Sequence, residues 1–182
     1  MTIQLNTYKN KWFKPGKNGI TRLIWYCINS IFINSYLIPF SPFKVVLLKL
    51  FGAKVGKGVN IKPKVNIKYP WKLTIGDYTW IGENVWIDNL DEVIIGKNCC
   101  LSQGAMLLCG NHNYKKTSFD LIIQEIVLKD GAWVGAQAIV CPGVYIAENA
   151  ILAVGSIATS NLKENSIYQG NPATKIKDRI IK

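Results

Sequence analysis

The sequence predicts a mainly β fold, a parallel β-helix of about five turns over residues 55–159. Three observations indicate it. Aliphatic residues stand six apart in groups of three, glycine follows many of them, and a small or β-branched residue often stands four places on. A six-residue repeat is typical of a coil in which each hexad supplies one short strand and one corner. The aliphatic positions are Val55, Ile61, Ile67, Ile75, Ile81, Ile87, Ile95, Leu101, Leu107, Leu128, Val134, Val140, Ile146, Leu152 and Ala158.

One corner of this coil is enlarged. The turns that start at Val55, Ile75 and Ile95 are 20 residues apart instead of 18, and the repeat breaks between Leu107 and Leu128. The extra residues fall after the third hexad each time, so they stack on one edge of the coil. Insertions on one edge of a solenoid commonly carry function. We therefore expect a functional loop at residues 108–125.

Residues 1–54 precede the coil as a basic, apolar arm with helices. Residues 1–76 hold 13 Lys or Arg and no acidic residue, whereas 77–182 hold 9 basic and 11 acidic residues. Two interpretations remain open: helices packed on the coil or on a neighbouring subunit, or an amphipathic segment in peripheral contact with an anionic membrane. Arg22, Asn29, Asn34 and the prolines disfavour a spanning helix.

Residues 160–182 leave the repeat, and we expect a C-terminal tail there, with a short basic helix or tail over 175–182. The 182 residues suffice for one domain with a substantial core. Five cysteines form no CxxC pair, which suits a reducing, cytoplasmic location, peripheral at the inner membrane face if the arm contacts lipid. No P-loop and no nucleophile elbow occurs, and no motif beyond charge predicts nucleic-acid binding.

His112 is the only histidine and stands at the start of the longest insertion. A single histidine excludes a three-histidine zinc site, and we expect no metal. A loop histidine is often only solvated, but the usual pKa of the side chain, near 6.5, also suits a general base. Asp88 and Asn89 stand on the same edge one turn earlier, where they either orient His112, hold a polar acceptor, or simply form a hydrophilic turn.

The combination of motifs resembles the hexapeptide-repeat acyltransferases over residues 55–178. The shared features are the hexads, an Asn-His pair in a mid-coil loop, Ala-Trp-Val-Gly-Ala at 132–136, Val-Cys-Pro-Gly-Val at 140–144 and Gly-Asn-Pro-Ala at 170–173. Pro-Trp-Lys-Leu-Thr-Ile-Gly-Asp at 70–77 and Leu-Ser-Gln-Gly-Ala at 101–105 resemble the colanic-acid-biosynthesis acetyltransferases in particular. The wider group includes the maltose, galactoside and nodulation-factor acetyltransferases.

This resemblance implies a left-handed parallel β-helix, a homotrimer with active sites between subunits, and acetyl-CoA as co-substrate. His112 matches the catalytic base of the family, and Asp88, Asn89 and Asn111 become candidates for binding the acceptor. The residues that match the CoA site are Gly135, Ala136, Val154, Gly155 and Thr159. Ser160 and Thr174 stand where basic residues are frequent, so Lys163, Lys175 and Lys177 are the candidates for the CoA phosphates.

The expected function is acetyl-CoA-dependent O-acetylation of a sugar in exopolysaccharide or surface glycan biosynthesis, by direct transfer with a histidine base. One alternative is acetylation of another small acceptor, such as a free sugar, an amino sugar or serine. A second is an inactive trimeric scaffold, and a third is a membrane- or nucleic-acid-binding module driven by the basic N-terminus.

Overall fold

A computed structural model describes residues 2–182 and confirms the parallel β-helix. Three parallel sheets form the sides of a prism. The first contains β1 (Lys54–Val55), β4 (Leu73–Ile75), β7 (Val93–Ile95), β12 (Ile126–Leu128) and β15 (Tyr145–Ile146). The second contains β2 (Asn60–Ile61), β5 (Trp80–Ile81), β8 (Cys100–Leu101), β13 (Trp133–Val134), β16 (Ile151–Leu152), β18 (Ser166–Gly170) and β19 (Ala173–Asp178). The third contains β3 (Asn66–Ile67), β6 (Trp86–Asp88), β9 (Met106–Leu108), β14 (Ile139–Val140) and β17 (Ile157–Ala158).

The hexad residues lie one above another inside the prism. Ile61, Ile81 and Leu101 are direct partners in the second sheet, and every hexad aliphatic is buried. Most strands have two or three residues, so each contributes one inward side chain to the core, or two in the three-residue strands of the first sheet. Glycine follows many of these inward residues for a separate reason, the close stacking of the turns. A Cβ on Gly76 would lie 2.5 Å from the backbone of Gly96 in the next turn.

An N-terminal cap covers the open edge of the first turn. It consists of α1 (Gly19–Ile28), a π-helical turn (Asn29–Ile33) and α2 (Ser41–Leu50), so the second helix begins at Ser41 and not at Lys44. The Ser41 hydroxyl accepts from the Ile61 N–H at 2.7 Å, and Trp25 Nε1 donates to the Ile67 carbonyl at 2.9 Å. These contacts satisfy groups that an exposed sheet edge would leave unpaired.

Lys44 completes the cap from inside. Its Nζ donates to the Lys62 carbonyl at 2.8 Å, and the residue is fully buried. Burial lowers the pKa of the Lys44 ammonium, since a low-dielectric site disfavours the charged form. Within residues 2–182, neither α1 nor α2 nor any other helix has the length and hydropathy to span a bilayer.

The C-terminal segment corrects one expectation. We expected a helix or tail over 175–182, but β18 continues the second sheet beyond β16 as a partial sixth turn, and β19 then returns antiparallel to β18. Arg179 Nη1 donates to the Gly131 and Asn149 carbonyls, both at 3.0 Å. The segment therefore closes the far end of the coil.

The three insertions lie where the spacing predicted, at the corner between the third and first sheets. The longest one, between β9 and β12, is not irregular throughout. It contains an antiparallel hairpin of β10 (Gly110–His112) and β11 (Leu121–Ile123). This hairpin carries His112 away from the coil.

Candidate active site

The hairpin holds His112 in a fixed position beside the N-terminal arm. His112 is the direct partner of Leu121 in the β10–β11 ladder. The N–H of Gln4 donates to the Thr117 carbonyl at 2.8 Å, so the arm is hydrogen-bonded to the tip of the same loop. The loop is thus held from two sides, by its own ladder and by residues far away in sequence.

The imidazole of His112 is oriented by Phe119. Its Nδ1 lies 2.8 Å from the Phe119 carbonyl oxygen, and the two rings stack with centroids 4.3 Å apart and planes within 4°. The ring of Tyr8 from the arm lies 5.7 Å away on a tilted plane. Phe119 itself has φ +51°, a left-handed conformation that a bulky residue rarely adopts.

This contact sets the tautomer of His112. A carbonyl oxygen can only accept a hydrogen bond, so Nδ1 carries a proton, and in the neutral imidazole Nε2 is then the nitrogen with the lone pair. An imidazole held in this way is ready to accept a proton at Nε2. The orienting group is therefore a backbone carbonyl of the same loop and neither Asp88 nor Asn89.

Asn111 supports the loop backbone directly before the histidine. Its Oδ1 accepts from the N–H of His112 at 2.7 Å, and the residue is exposed. The side chain is thus accessible beside the candidate base. Its role in binding an acceptor remains a proposal.

Asp88 lies under the hairpin. Its Oδ1 accepts from Lys68 Nζ at 2.8 Å, and the Asp88 side chain is 16% exposed. An ideal Cβ on Gly110, where β10 begins, would lie 3.9 Å from Asp88 Oδ2. Asp88 and Lys68 therefore form a half-buried ion pair close to the loop that carries His112.

Asn89 has a structural role in this chain, which disfavours the expectation that it binds the acceptor. The residue is fully buried, and its Oδ1 accepts from the Tyr69 N–H at 2.9 Å. Its Nδ2 donates to the Tyr69 carbonyl at 2.6 Å and to the Lys72 carbonyl at 3.2 Å. All of these contacts hold the corner insertion of the preceding turn, so no group of Asn89 is left for a ligand.

A cleft of about 570 Å³ separates the arm from the enlarged corner, and its lining includes Tyr8, Lys68, Tyr69, Leu90 and Leu121. Tyr8 contacts the His112 ring, and Leu121 is its strand partner, so the histidine adjoins the cleft. Lys68 and Tyr69 also line a second cavity of about 470 Å³, which Asp88 and Trp86 border. Aromatic faces and polar groups thus meet next to the candidate base.

A separate, mostly apolar cleft of about 540 Å³ lies over the second sheet. Four residues that the resemblance assigned to CoA line it: Gly135, Ala136, Val154 and Lys177. Trp133 forms one wall, and its Nε1 donates to the Ser102 hydroxyl at 2.9 Å. Lys177 on β19 is the cation at this cleft.

Gly135 and Gly155 lie near this cleft, and glycine stands at these two positions for different reasons. A Cβ on Gly135 would lie 2.6 Å from the Val154 nitrogen and 2.8 Å from the Leu152 carbonyl oxygen, so coil stacking alone requires glycine there. A Cβ on Gly155 would meet no atom within 4 Å, and Val154 beside it is 68% exposed. Open space above backbone is the feature that a bound chain needs for close approach.

Three predicted CoA residues lie elsewhere. Thr159 follows β17 and stands at the corner between the third and first sheets. Lys163 stands between Leu162, which bridges to Ile146 of the first sheet, and β18 of the second, so it belongs to another corner. Lys175 is engaged by Asp178, 2.6 Å away, and this hydrogen bond raises the pKa of the Lys175 ammonium.

His112 and the apolar cleft occupy different corners of one chain. The histidine lies in the connection from the third to the first sheet, whereas Gly135 and Val154 lie in connections from the second to the third. A base and a cleft separated in this way would meet only across a contact between two copies of the chain.

Sequence reasoning missed several residues of these sites. No sequence pattern pointed to Phe119 or Tyr8. Phe119 contacts His112 through its backbone carbonyl, and Tyr8 lies far from His112 in sequence. Trp133 was noticed only as part of a motif, although its two-residue strand and its outward position in the hexad could have placed it on the surface of the second sheet.

Comparison with known proteins connects the chain and its fold to one group. The chain is 36% identical over 171 residues, 93% of each chain, to the Escherichia coli K12 protein named "Putative colanic acid biosynthesis acetyltransferase WcaF". The hexapeptide-repeat-containing acetyltransferase VCA0836 of Vibrio cholerae O1 biovar eltor, solved with acetyl-CoA, superposes with a TM-score of 0.82 at 19% identity over 97% of both chains. A galactoside acetyltransferase solved with coenzyme A gives 0.78 at 22% identity, over 91% of this chain and 85% of that one. No protein-family model matches the chain.

Proposed function

This chain belongs to the hexapeptide-repeat acetyltransferase family, and on that premise we propose that it transfers the acetyl group of acetyl-CoA to a hydroxyl of a saccharide. The acceptor belongs to the biosynthesis of an exopolysaccharide or another surface glycan. The relative with 36% identity bears a name from colanic acid biosynthesis, and a structural neighbour is a galactoside acetyltransferase.

One observation carries the proposal: the only histidine of the chain is held with Nε2 free. The Phe119 carbonyl accepts a hydrogen bond from Nδ1–H, and the arm and hairpin fix the ring next to a cleft. The Phe119 ring stacks on the imidazole at a centroid distance of 4.3 Å, so the loop holds the histidine through both a hydrogen bond and a ring contact.

The reaction follows from this arrangement. Nε2 of His112 accepts the proton of the acceptor hydroxyl as its oxygen attacks the thioester carbonyl carbon. The carbon–sulfur bond breaks, the acetyl group passes from sulfur to oxygen, and the proton on Nε2 goes to the departing thiolate. No residue of the chain becomes acylated in this direct transfer.

The apolar cleft over the second sheet fits the other substrate. Its volume of about 540 Å³ and apolar walls suit the pantetheine arm, which supplies the thioester, and the open space at Gly155 allows approach to the backbone. Lys177 at this cleft is the cation best placed for a phosphate. Lys163, at another corner, and Lys175, paired with Asp178, are weaker candidates.

A homotrimer would complete the site. Because His112 and this cleft lie on different corners, the base of one subunit would act on acetyl-CoA bound in the cleft of its neighbour. Trp80 is 60% exposed and Trp133 is 43% exposed on the outward side of the second sheet. Large aromatic side chains at such positions suit a lateral contact between coils.

The cleft beside His112 is the proposed acceptor site. Tyr8 and Tyr69 offer aromatic faces, and Lys68 and Asn10 offer hydrogen-bonding groups, a combination that suits the apolar faces and hydroxyls of a sugar ring. Asp88 borders the second cavity and is paired with Lys68. Asn111 would add an amide beside the base.

Incubation of the protein with labelled acetyl-CoA and a panel of mono- and oligosaccharides tests the proposal. We expect an O-acetyl ester on a saccharide, identified by mass spectrometry. An N-acetyl product, or acetylated serine, would establish another acceptor and contradict the saccharide hydroxyl. Absence of both product and CoA binding would indicate an inactive scaffold.

A further inference from the structure

The outer face of helix α1 is apolar, although no residue among 2–182 covers it. Ile20, Leu23, Ile24 and Cys27 share the spacing of one helix face, and all are exposed. The opposite face packs on the coil through Trp25, which is 2% exposed. The helix is therefore apolar on two sides, whereas an ordinary surface helix is apolar on one.

The same pattern continues through the rest of the cap. Phe43, Val46 and Leu50 form an exposed row along α2. Between the helices, Leu37 is 73% exposed and Phe40 is 70% exposed. The cap thus presents large apolar side chains along the whole of residues 20–50.

This outer face runs against the usual construction of a solenoid. Terminal caps normally carry a polar outer face, which keeps the open end of the coil from associating. Here the inner face fulfils the capping role, through the hydrogen bonds of Trp25 and Ser41 to the first turn. The apolar outer side chains contribute nothing to that role, so they require another occupant.

The charge around this face indicates what the occupant is. The first 76 residues contain no Asp or Glu. Exposed Lys14 and Lys17 precede α1, and exposed Lys49 lies in the last turn of α2. Apolar side chains next to exposed cations complement an anionic lipid surface, where the apolar groups enter the acyl boundary and the cations meet the headgroups.

We propose that the outer face of the cap, residues 14–50, lies on the surface of an anionic phospholipid membrane. The cap closes one end of the prism, so the coil would stand upright on the membrane with its clefts on the sides. A trimer with its axis parallel to the coils would bring three caps to the same plane. A glycan carried on a lipid would then meet the sites close to the surface.

Flotation with vesicles tests this inference. We expect the full chain to float with vesicles of equimolar phosphatidylglycerol and phosphatidylcholine, to float poorly with phosphatidylcholine alone, and to detach as salt is raised. Leu37→Gln combined with Phe40→Gln should weaken partitioning about tenfold or more, because two exposed apolar groups no longer enter the lipid.

The matched control replaces two exposed apolar residues at the other end of the molecule, Ile180→Gln with Ile181→Gln, and should float like the wild type. Equal flotation of the cap variant and the wild type would overturn the proposal. A second result would also overturn it: the wild type does not float, and light scattering shows that the cap variant has half the assembly mass of the wild type. A second copy of the chain, and not lipid, would then cover the face. Acetyl transfer to a soluble saccharide by the same variants reports separately on the proposed function.

Discussion

At the scale of single residues, the orientation of His112 depends on one backbone carbonyl. Phe119 adopts a left-handed φ of +51° and stacks its ring on the imidazole. Its backbone carbonyl accepts a hydrogen bond from Nδ1–H. Left-handed backbone costs a bulky residue about 1–2 kcal/mol. Such a conformation persists only where surrounding contacts enforce it, and here the contacts are those that hold the candidate base.

Phe119→Asn separates these contributions. Asparagine tolerates the left-handed conformation and keeps the carbonyl, but the stacked ring is lost. We expect stability within about 1 kcal/mol of wild type, since relief of strain offsets lost packing, and kcat lower by about ten- to a hundredfold, since the imidazole is less well oriented. Urea unfolding and steady-state acetyl transfer measure both.

The control for this variant is Tyr114→Asn, which removes an exposed aromatic residue from the same loop. It should leave kcat unchanged. If Phe119→Asn also leaves kcat unchanged, the ring has no orienting role, and the backbone carbonyl and the hairpin are enough to position His112.

At the scale of elements, stacking explains what sequence could predict and what it could not. A two-residue strand with one inward side chain leaves a six-residue signature, so the hexads located the three sheets and the enlarged corner. The hairpin of 110–123 has no such period, because its antiparallel pairing depends on a local turn. Strand β19 was not predicted for the same reason, because it pairs antiparallel with β18.

The sequence alone also could not predict what a polar residue at the corner does. Asp88 and Asn89 stand side by side on the same edge, yet Asp88 is partly accessible and Asn89 is fully buried against the preceding corner. An asparagine amide binds backbone and ligand groups equally well. Only the packing of the neighbouring turn separates the two roles.

Glycines of the coil provide a test of stacking against ligand access. Gly135→Ala places a Cβ 2.6 Å from backbone of the next turn and should lower the free energy of unfolding by about 3 kcal/mol. The Cβ of Gly155→Ala meets open space, so this variant should lower the free energy of unfolding only by the cost of its left-handed φ, about 1–2 kcal/mol. Urea unfolding of the two variants gives the comparison, and equal or reversed costs would contradict the stacking explanation.

At the scale of the whole molecule, His112 and the apolar cleft lie on different corners, so the proposed function predicts that activity depends on assembly. Each chain would contribute a base to one neighbour and a cleft to the other. The exposed tryptophans of the second sheet and the cap at the end of the prism are then different surfaces, the first for subunits and the second for lipid.

Mixed assemblies test the shared site. His112→Ala lacks the base, and Val154→Trp fills the exposed side of the cleft. Each variant alone should be inactive, whereas co-expression should restore about a quarter of the wild-type activity per site, because random assembly places an intact base against an intact cleft at that frequency. A mixture as inactive as its components would show that each chain holds its own complete site.

The most direct test of the central claim is kcat for acetyl transfer from acetyl-CoA to the preferred saccharide, measured for wild type and His112→Ala, with acetyl-CoA binding followed by calorimetry. We expect a loss of about 10²–10⁴-fold in kcat with acetyl-CoA affinity unchanged, since His112 lies outside the cleft proposed for that substrate. A variant that retains wild-type kcat would contradict the assignment of His112 as the base and the mechanism built on it.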